Sequence, residues 1–467
     1  MILKQFPYVF FLGIGGIGMS ALARWFRANG HQVSGYDKTE TPLTRALVAE
    51  GIAIHYADAV ENIPAEIRAH REQTLVVLTP AIPADSVEWA WLKAEGYDIR
   101  KRSQVLGVLT AGHFTIAVAG THGKTTTSSM VAHLLHHAGV DCGAFLGGIS
   151  VNLGSNLLLP ATPAAPIVVE ADEYDRSFLT LHPDVAIVTS TDADHLDIYG
   201  NQSALIESFR QFVAQLKPGG TLLLNHTADP SVAAAAPAGT RVIHYGLTSE
   251  QGPELYAADI RPEGHLFRFD LHRPESTVRS LELAVPGYHN VENMLAAAAV
   301  AQLQGVGEEA LRTAVAAYRG VKRRFEFVVT APNNVYLDDY AHHPREIEAF
   351  LRSVRALYPG KRLRVIFQPH LFTRTRDFAP GFAQSLSIAD EVFLLDIYPA
   401  REKPLPGVNS EMLLAEITAP TKALVTKEQA LAAATTDNSF DVLATVGAGD
   451  IDTLVPQLKQ ILSQRWL

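Results

Sequence analysis

Between Ile116 and Thr127 the chain reads Ile-Ala-Val-Ala-Gly-Thr-His-Gly-Lys-Thr-Thr-Thr, which holds the parts of a phosphate site. A bound phosphate needs backbone N–H groups free to approach it, a cation, and a helix N-terminus. Gly120 and Gly123 free the backbone around Thr121 and His122. Lys124 supplies the cation, and Thr125 places a hydroxyl where it can hold Mg²⁺ on the phosphates, with Thr126 following. The Walker A pattern has four residues between its glycines, and here there are two. The chemistry is that of a nucleoside triphosphate site with a variant loop.

A second glycine loop, Gly13-Ile14-Gly15-Gly16-Ile17-Gly18, follows another apolar run. Asp37 comes at the distance where a Rossmann fold offers an acid to a ribose. Taken alone this reads as an NAD site, and any diphosphate on a helix N-terminus fits the same turn. Glu170, Asp172, Glu173 and Asp175 follow Ile167-Val168-Val169, and Asp192, Asp194, His195 and Asp197 follow Val185 to Val188. Glu170 is the acid expected to join Thr125 around Lys124, while some of Asp172, Glu173 and Asp175 are expected in a solvated loop. Mg²⁺ takes carboxylate, hydroxyl, water and phosphate oxygens, so a histidine such as His195 suggests a second cation site near the acceptor. Zinc hydrolysis would need an H-E-x-x-H or cysteine ligand set, and neither occurs. Arg374 and Arg376 beside His370 could clamp a carboxylate. Asn290 and Asn293 share one face at the start of a helix, where capping and ligand contact are equally good uses.

Hydrophobic periodicity supplies the elements that place these residues. Tyr8 to Leu12 is a strand, followed by a helix with Met19, Leu22 and Phe26 on its apolar stripe. Leu75 to Leu78 is another strand, ending in Thr79-Pro80-Ala81-Ile82. After Lys124 the apolar face is Met130, Val131, Leu134, Leu135 and Ala138, and Gly139 can end that helix. Residues 201–216 read as an amphipathic helix and 228–239 as a loop. Phe267, Phe269 and Leu271, then Leu281, Leu283 and Val285, alternate with polar residues, which predicts a small antiparallel insert. Further on, strands at 335–338, 363–367, 392–395, 423–426 and 442–446 alternate with helices near 345–357, 378–387, 409–417, 427–435 and 451–463. Parallel strands of this kind end at the crevice where ligands bind. The fold class is α/β in three domains. A Rossmann-like N-terminal domain is expected over 1–111, a P-loop-type central ATPase domain with a mostly parallel sheet over 112–321, and a Rossmann-like C-terminal domain over 322–467.

A chain of 467 residues exceeds one core, and 47% hydrophobic with 19% charged residues is ordinary for a soluble globular protein. The net charge of −10 argues against a nucleic-acid partner. One cysteine, Cys142, allows no internal disulfide, suits a reducing cytosol, and reads as a small buried residue. No secretory leader pattern and no apolar run of membrane-spanning length occurs. A cytoplasmic protein without membrane association is expected.

Gly120-Thr121-His122-Gly123-Lys124-Thr125-Thr126 resembles the ATP loop of the Mur ligases, short glycine spacing included. Glu170-Ala171-Asp172-Glu173, Asp192-Ala193-Asp194-His195-Leu196-Asp197, His289-Asn290-Val291-Glu292-Asn293, Arg323-Arg324-Phe325 and Asp339-Tyr340-Ala341-His342-His343-Pro344 match in family order. The resemblance covers essentially the whole chain. It implies an ATP- and Mg²⁺-dependent amide ligase of cytoplasmic peptidoglycan synthesis, serving cell-wall biogenesis, shape and division. Within the family, the Gly13–Gly18 loop and the stretch from Phe367-Gln368-Pro369-His370 through Thr373-Arg374-Thr375-Arg376 resemble the member joining L-alanine to UDP-N-acetylmuramate. A ligase attaching a whole tripeptide to the same UDP-sugar is the alternative, and an NAD-dependent dehydrogenase a more distant one. A monomer or homodimer is expected.

The resemblance also implies roles. Gly13, Gly15, Gly16, Ile17 and Gly18 would bind the UDP pyrophosphate, with Asp37 and Thr79 near the uridine. Lys124 would contact the β- and γ-phosphates, and Thr125 and Glu170 one Mg²⁺. His195 would hold a second Mg²⁺ shared with the muramyl carboxylate. Asn290 and Asn293 would reach the adenine, and Arg324 and Asp339 the ATP. His343, His370, Arg374 and Arg376 would lie around the alanine and the carboxylate, in a C-terminal domain that closes over the reaction. His195, His343 and bound phosphate are all candidates to take the amine proton. Some relatives carry a carbamoylated lysine after the histidine; no lysine lies between His195 and Lys217, so none is expected here.

Overall fold

A computed structural model describes residues 2–193, 196–250, 252–400, 402–437 and 439–467. Its three sheets follow from short apolar runs buried on both faces. The first holds β1 (Tyr8–Leu12), β2 (Gln32–Tyr36), β3 (Ala53–His55), β4 (Thr74–Leu78) and β5 (Asp98–Lys101), in the order β3-β2-β1-β4-β5. All its pairings are parallel. The strand order reverses at β1 and β4, so the loops leaving these two strands meet, as at other switch points of open α/β sheets.

The second sheet has ten strands. They are β6 (Thr115–Ala119), β7 (Gly143–Ser150), β8 (Ser155–Leu158), β9 (Ile167–Glu170), β10 (Val185–Val188), β11 (Thr221–Asn225), β12 (Arg241–Gly246), β13 (Leu255–Glu263), β14 (Leu266–Arg273) and β15 (Ser276–Leu283). Their order is β15-β14-β13-β12-β11-β10-β6-β9-β7-β8. β6 lies between β9 and β10 with parallel register on both sides, so the acid-bearing loops after β9 and β10 flank the phosphate loop. The period-two strands expected as a small antiparallel insert are β14 and β15, which follow β13 at one edge of this sheet. They are joined to it because Tyr245 and Gly246 of β12 pair with Leu255 and Tyr256 of β13.

The third sheet holds β16 (Glu326–Thr330), β17 (Val335–Asp339), β18 (Leu363–Phe367), β19 (Glu391–Leu394), β20 (Thr421–Leu424) and β21 (Val442–Val446), ordered β16-β17-β21-β18-β19-β20. Only the β16–β17 pair is antiparallel among those described. β20 ends two residues before its expected limit because Thr426 is already the N-cap of the next helix, accepting from Gln429 N. The architecture is thus α/β with three domains and mostly parallel sheets.

By Cα proximity the chain divides into two compact units: Met1–Tyr256 with His272–Ser276 and Asn293–Ala314, and Ala257–Leu271 with Thr277–Glu292 and Val315–Leu467. The first unit's core runs through both of its sheets, from Val9 and Phe11 to Val169, Val188 and Leu224. At its centre Phe178 stacks on Phe212 at 5.0 Å and meets Phe209 edge-on at 5.4 Å. Both partners sit on the helix Gln202–Val213, started by Asn201, whose side chain accepts from Ala204 N. In the second unit Tyr336, Leu443, Leu454 and Leu458 head a core of their own. Cys142 is buried as expected, and burial pushes its thiol up to about 12, which leaves it a poor nucleophile.

Candidate active site

The run Thr115–Ala119 is fully buried as β6, and the helix Lys124–His137 begins directly after Gly123. Gly120 and Gly123 adopt φ of +133° and +81°. A Cβ on Gly120 would stand 2.0 Å from Thr189 Oγ1, and one on Gly123 would stand 2.7 Å from Asn293 Oδ1. The turn between them is pinned from the end of β10. Ser190 Oγ accepts from His122 N at 2.9 Å and lies 2.9 Å from Thr121 Oγ1, while the Thr189 hydroxyl lies within donating distance of both the Ala119 and His122 carbonyls. Gly120→Ala is therefore expected to lose nucleotide binding and about 1–3 kcal/mol of stability. Denaturant titration and binding of a fluorescent ATP analogue check this, and a variant that binds normally would show the loop has room.

Lys124 Nζ lies against the loop's own carbonyls, 2.7 Å from Gly120 O and 3.4 Å from Thr121 O. It pairs with both carboxylate oxygens of Glu173, at 3.0 and 2.9 Å. Burial alone would lower the lysine's pKa, but the negative charges of Glu173, Asp172 and Glu170 outweigh it and hold the pKa above its ordinary value. The amine is a fixed cation. Glu173 is completely buried. Glu173 is not among the solvated acids of this loop, because its carboxylate is the counter-ion of Lys124. Asp172 and Asp175 pair outward instead, with Arg102 at 3.3 Å and Lys101 at 2.8 Å.

Glu170 ends β9, half-buried beside Gly147, where a Cβ would stand 2.3 Å from its Oε2. Thr125 is buried in the first turn after the loop, with Thr126 beside it. His122 Nε2 faces Asp192 Oδ2 at 3.7 Å. His195, given a chemical role above, and Asp194 before it lie outside the described residues.

At the first sheet's switch point, Gly13 has φ +85°, and a Cβ there would stand 2.4 Å from Thr79 Cγ2. The two loops are in contact, as the topology requires. Asp37 Oδ2 accepts from Gly15 N at 2.8 Å and its Oδ1 from Thr39 N at 3.1 Å, so it folds onto the glycine loop itself. Gly16 caps the helix Ile17–Ala28 without a side-chain bond, Gly18 lies against Arg102, and the Ile17 carbonyl accepts from Asn156 Nδ2 at 2.6 Å.

On the helix Tyr288–Leu303 both asparagines are buried. Asn293 reaches the phosphate loop, whereas Asn290 Nδ2 donates back to Pro286 O at 2.8 Å. In the second unit Asp339 ends β17 and accepts from Phe325 N at 2.7 Å and Ala341 N at 2.8 Å. Arg323 and Phe325 have left-handed φ of 61° and 48°, and between them the Arg324 guanidinium stands 5.0 Å from the Tyr340 ring. His343 is the N-cap of Pro344–Leu357 and packs on Phe378 at 4.8 Å. His370 stacks on Tyr398 at 5.8 Å, Arg374 is buried, and Arg376 pairs with Asp377 in the open.

Two buried groups of this unit titrate in opposite senses. Burial, opposed by Arg324, raises Asp339 to about 6. Burial lowers His289 to about 4 despite Glu346. A carboxyl raised on folding contributes stability below its unfolded pKa near 4 and loses it as pH rises through 6. A depressed histidine contributes above 6.5 and loses it as pH falls through 4. Their slopes oppose across this window. The difference in unfolding free energy between wild type and Asp339→Asn isolates the carboxyl, and it should shift by about 2 kcal/mol between pH 4 and 7 in disfavour of the wild type. A flat difference would contradict the burial argument.

Family models match along the chain in three blocks: "Mur ligase family, catalytic domain" over 8–114, "Mur ligase middle domain" over 118–301, and "Mur ligase, glutamate ligase domain" over 323–449. A UDP-N-acetylmuramate–L-alanine ligase of Flavobacterium johnsoniae is 46% identical over 464 residues, 99% of this chain and 100% of that one. The chain belongs to the Mur ligase family. Another relative of that name, from Porphyromonas gingivalis, is 48% identical to this Mur ligase over 97% of it and 98% of the relative. The crystal structure of a UDP-N-acetylmuramate-alanine ligase from Thermotoga maritima matches at TM-score 0.82 and 27% identity, covering 98% and 99% of the two chains. A murein peptide ligase from Psychrobacter arcticus shares the fold, at TM-score 0.73 and 24% identity over 97% and 98%.

For this Mur ligase, sequence reasoning located both glycine loops, Thr79, Thr125 and Glu170 at two strand-end clusters, and Asn293 near the start of a helix. It missed Glu173 as the partner of Lys124, and Thr189 and Ser190 as the clamp on the loop. Glu173 lies three residues after Glu170, and no sequence signal separates it from the outward-paired Asp172 and Asp175.

Proposed function

We propose that this Mur ligase joins L-alanine to the lactyl carboxylate of UDP-N-acetylmuramate, driven by ATP, through an acyl phosphate. The observation that carries the reading is 46–48% identity along nearly the whole length to relatives named for that reaction. The phosphate loop supports the ATP step. Lys124 would leave Glu173 for the β- and γ-phosphates, where its fixed charge offsets the negative charge that gathers as the carboxylate attacks. The donors present fit Mg²⁺, which accepts one carboxylate and a hydroxyl and keeps several waters: Glu170 at a strand end and buried Thr125 offer these. When bound, the metal would further neutralise the phosphates. Gly13 to Gly18 and Thr79 would hold the UDP-sugar, with Asp37 giving up its bond to Gly15 N as the diphosphate arrives and turning to the uridine, and Asn293 would orient the nucleotide. Arg324 and Asp339 are assigned to ATP. His343, His370, Arg374 and Arg376 are assigned to the amino acid and the carboxylate. His195 keeps its assignment to the acceptor's metal. The amine attacks the acyl phosphate, and a tetrahedral oxyanion collapses to amide and phosphate, with ADP already formed.

The setting is cytoplasmic peptidoglycan synthesis, by a monomer or homodimer. Among the described residues no helix is long and apolar enough to cross a membrane. Phosphate release with ATP, Mg²⁺, UDP-N-acetylmuramate and either L-alanine, glycine, L-serine or a muropeptide tripeptide tests the reading. Release with L-alanine is the expected result. Release with the tripeptide and not with L-alanine would reassign the acceptor amine.

A further inference from the structure

A cavity of about 300 Å³ opens within the first unit, where the start of β12, the start of β13 and the β14–β15 turn meet the last turn of the helix Tyr288–Leu303. That volume is at the small end of ligand pockets. Its floor is apolar: Ile243 and Leu255 are buried, and Ala299 and Leu303 of the helix complete it. Its rim carries two cations, Arg241 and Arg273, and two anions, Glu254 and Glu275. Among the described residues none of the four makes an ion pair. Arg273 is oriented by one bond, Nη2 to Ser276 Oγ at 2.7 Å, and its Nε is buried without a hydrogen-bond partner.

Arg241, Glu254 and Glu275 stand exposed on the rim, while the buried Nε of Arg273 beside the apolar floor is a donor that a ligand's acceptor would satisfy. A purely anionic ligand would meet two carboxylates as well as two guanidiniums, and a cation the reverse. A zwitterion with an apolar body satisfies both signs. The helix joins this cavity to the reaction site. Gln302 and Leu303 line the cavity, while Asn293 of the same helix abuts Gly123 of the phosphate loop. Nine residues of helix span about 14 Å as one rigid body. We propose that the cavity is a second ligand site, for a free amino acid with a branched apolar side chain, whose occupancy is read by the phosphate loop through Asn293.

Equilibrium dialysis of the full-length protein with labelled L-leucine tests the site without any turnover, so its failure leaves the proposed ligase reaction standing. Leucine should bind at millimolar concentration, and N-acetyl-L-leucine and L-leucinamide at least about tenfold more weakly, since each lacks one charge. Arg273→Met should abolish binding, and so should Leu303→Glu, which alters a surface position and leaves the fold intact. Saturating leucine should change the affinity for a non-hydrolysable ATP analogue by about fivefold or more, with a reciprocal change in leucine affinity. No leucine binding, or equal binding of the blocked forms, overturns the site. Binding that survives both variants places leucine elsewhere and overturns it too. Unchanged nucleotide affinity overturns the coupling through the helix.

Discussion

Lys124→Ala is expected to lower phosphate release by about 10²–10³-fold or more while UDP-sugar binding stays close to wild type. The lysine already stands inside the loop, 2.7 Å from Gly120 O, so its charge needs only a short swing to reach a phosphate. Alanine removes that charge and also leaves the Glu173 carboxylate buried beside the phosphates, with no cation between them. Both changes raise the barrier to phosphoryl transfer. The loops proposed to hold the UDP-sugar leave β1 and β4 and do not include Lys124, so equilibrium dialysis with UDP-N-acetylmuramate should report near-normal affinity. Turnover retained within tenfold would remove Lys124 from the mechanism.

Glu173→Gln should destabilise the protein by about 3–5 kcal/mol, the usual cost of removing one partner from a buried ion pair. The lysine keeps its carbonyl contacts but loses the carboxylate that offsets its desolvation. The diagnostic is the double variant. With Lys124→Ala added, no uncompensated charge remains, so the double variant should be more stable than Glu173→Gln alone. Urea unfolding of the two single variants and the double variant at pH 7 decides it. Strictly additive losses would mean that the pair does not constrain the loop.

Strand runs, glycine spacing and the order of motifs made the three-domain α/β fold legible, because parallel strands buried on both faces leave an apolar signature that needs no partner to be read. Strand-end clusters were legible for the same reason: β1 beside β4, and β6 between β9 and β10, bring together loops far apart in sequence. Pairings between side chains were not. Glu173 and Asp172 are neighbouring acids, one facing the lysine and one facing Arg102, and the choice is made by a loop in which Asp175 and Arg176 take left-handed φ. Period-two patterning marked β14 and β15 as strands, but alternation is identical in a free insert and in the edge of a larger sheet. Asn290 and Asn293 show the limit of helical spacing. They share a face, yet one bonds back to Pro286 and the other touches Gly123.

Asp37 gives the first glycine loop an internal competitor. Its carboxylate already holds the Gly15 N–H, so the diphosphate proposed to bind there would exchange one anion for another instead of filling a vacancy. The tethered acid is always present at high local concentration, whatever the anions in solution. Small anions that offer a single contact lose that exchange, and a ligand engaging several N–H groups of the turn wins it. The loop thereby selects by the number of contacts a ligand can make, before any feature of its base or sugar is read.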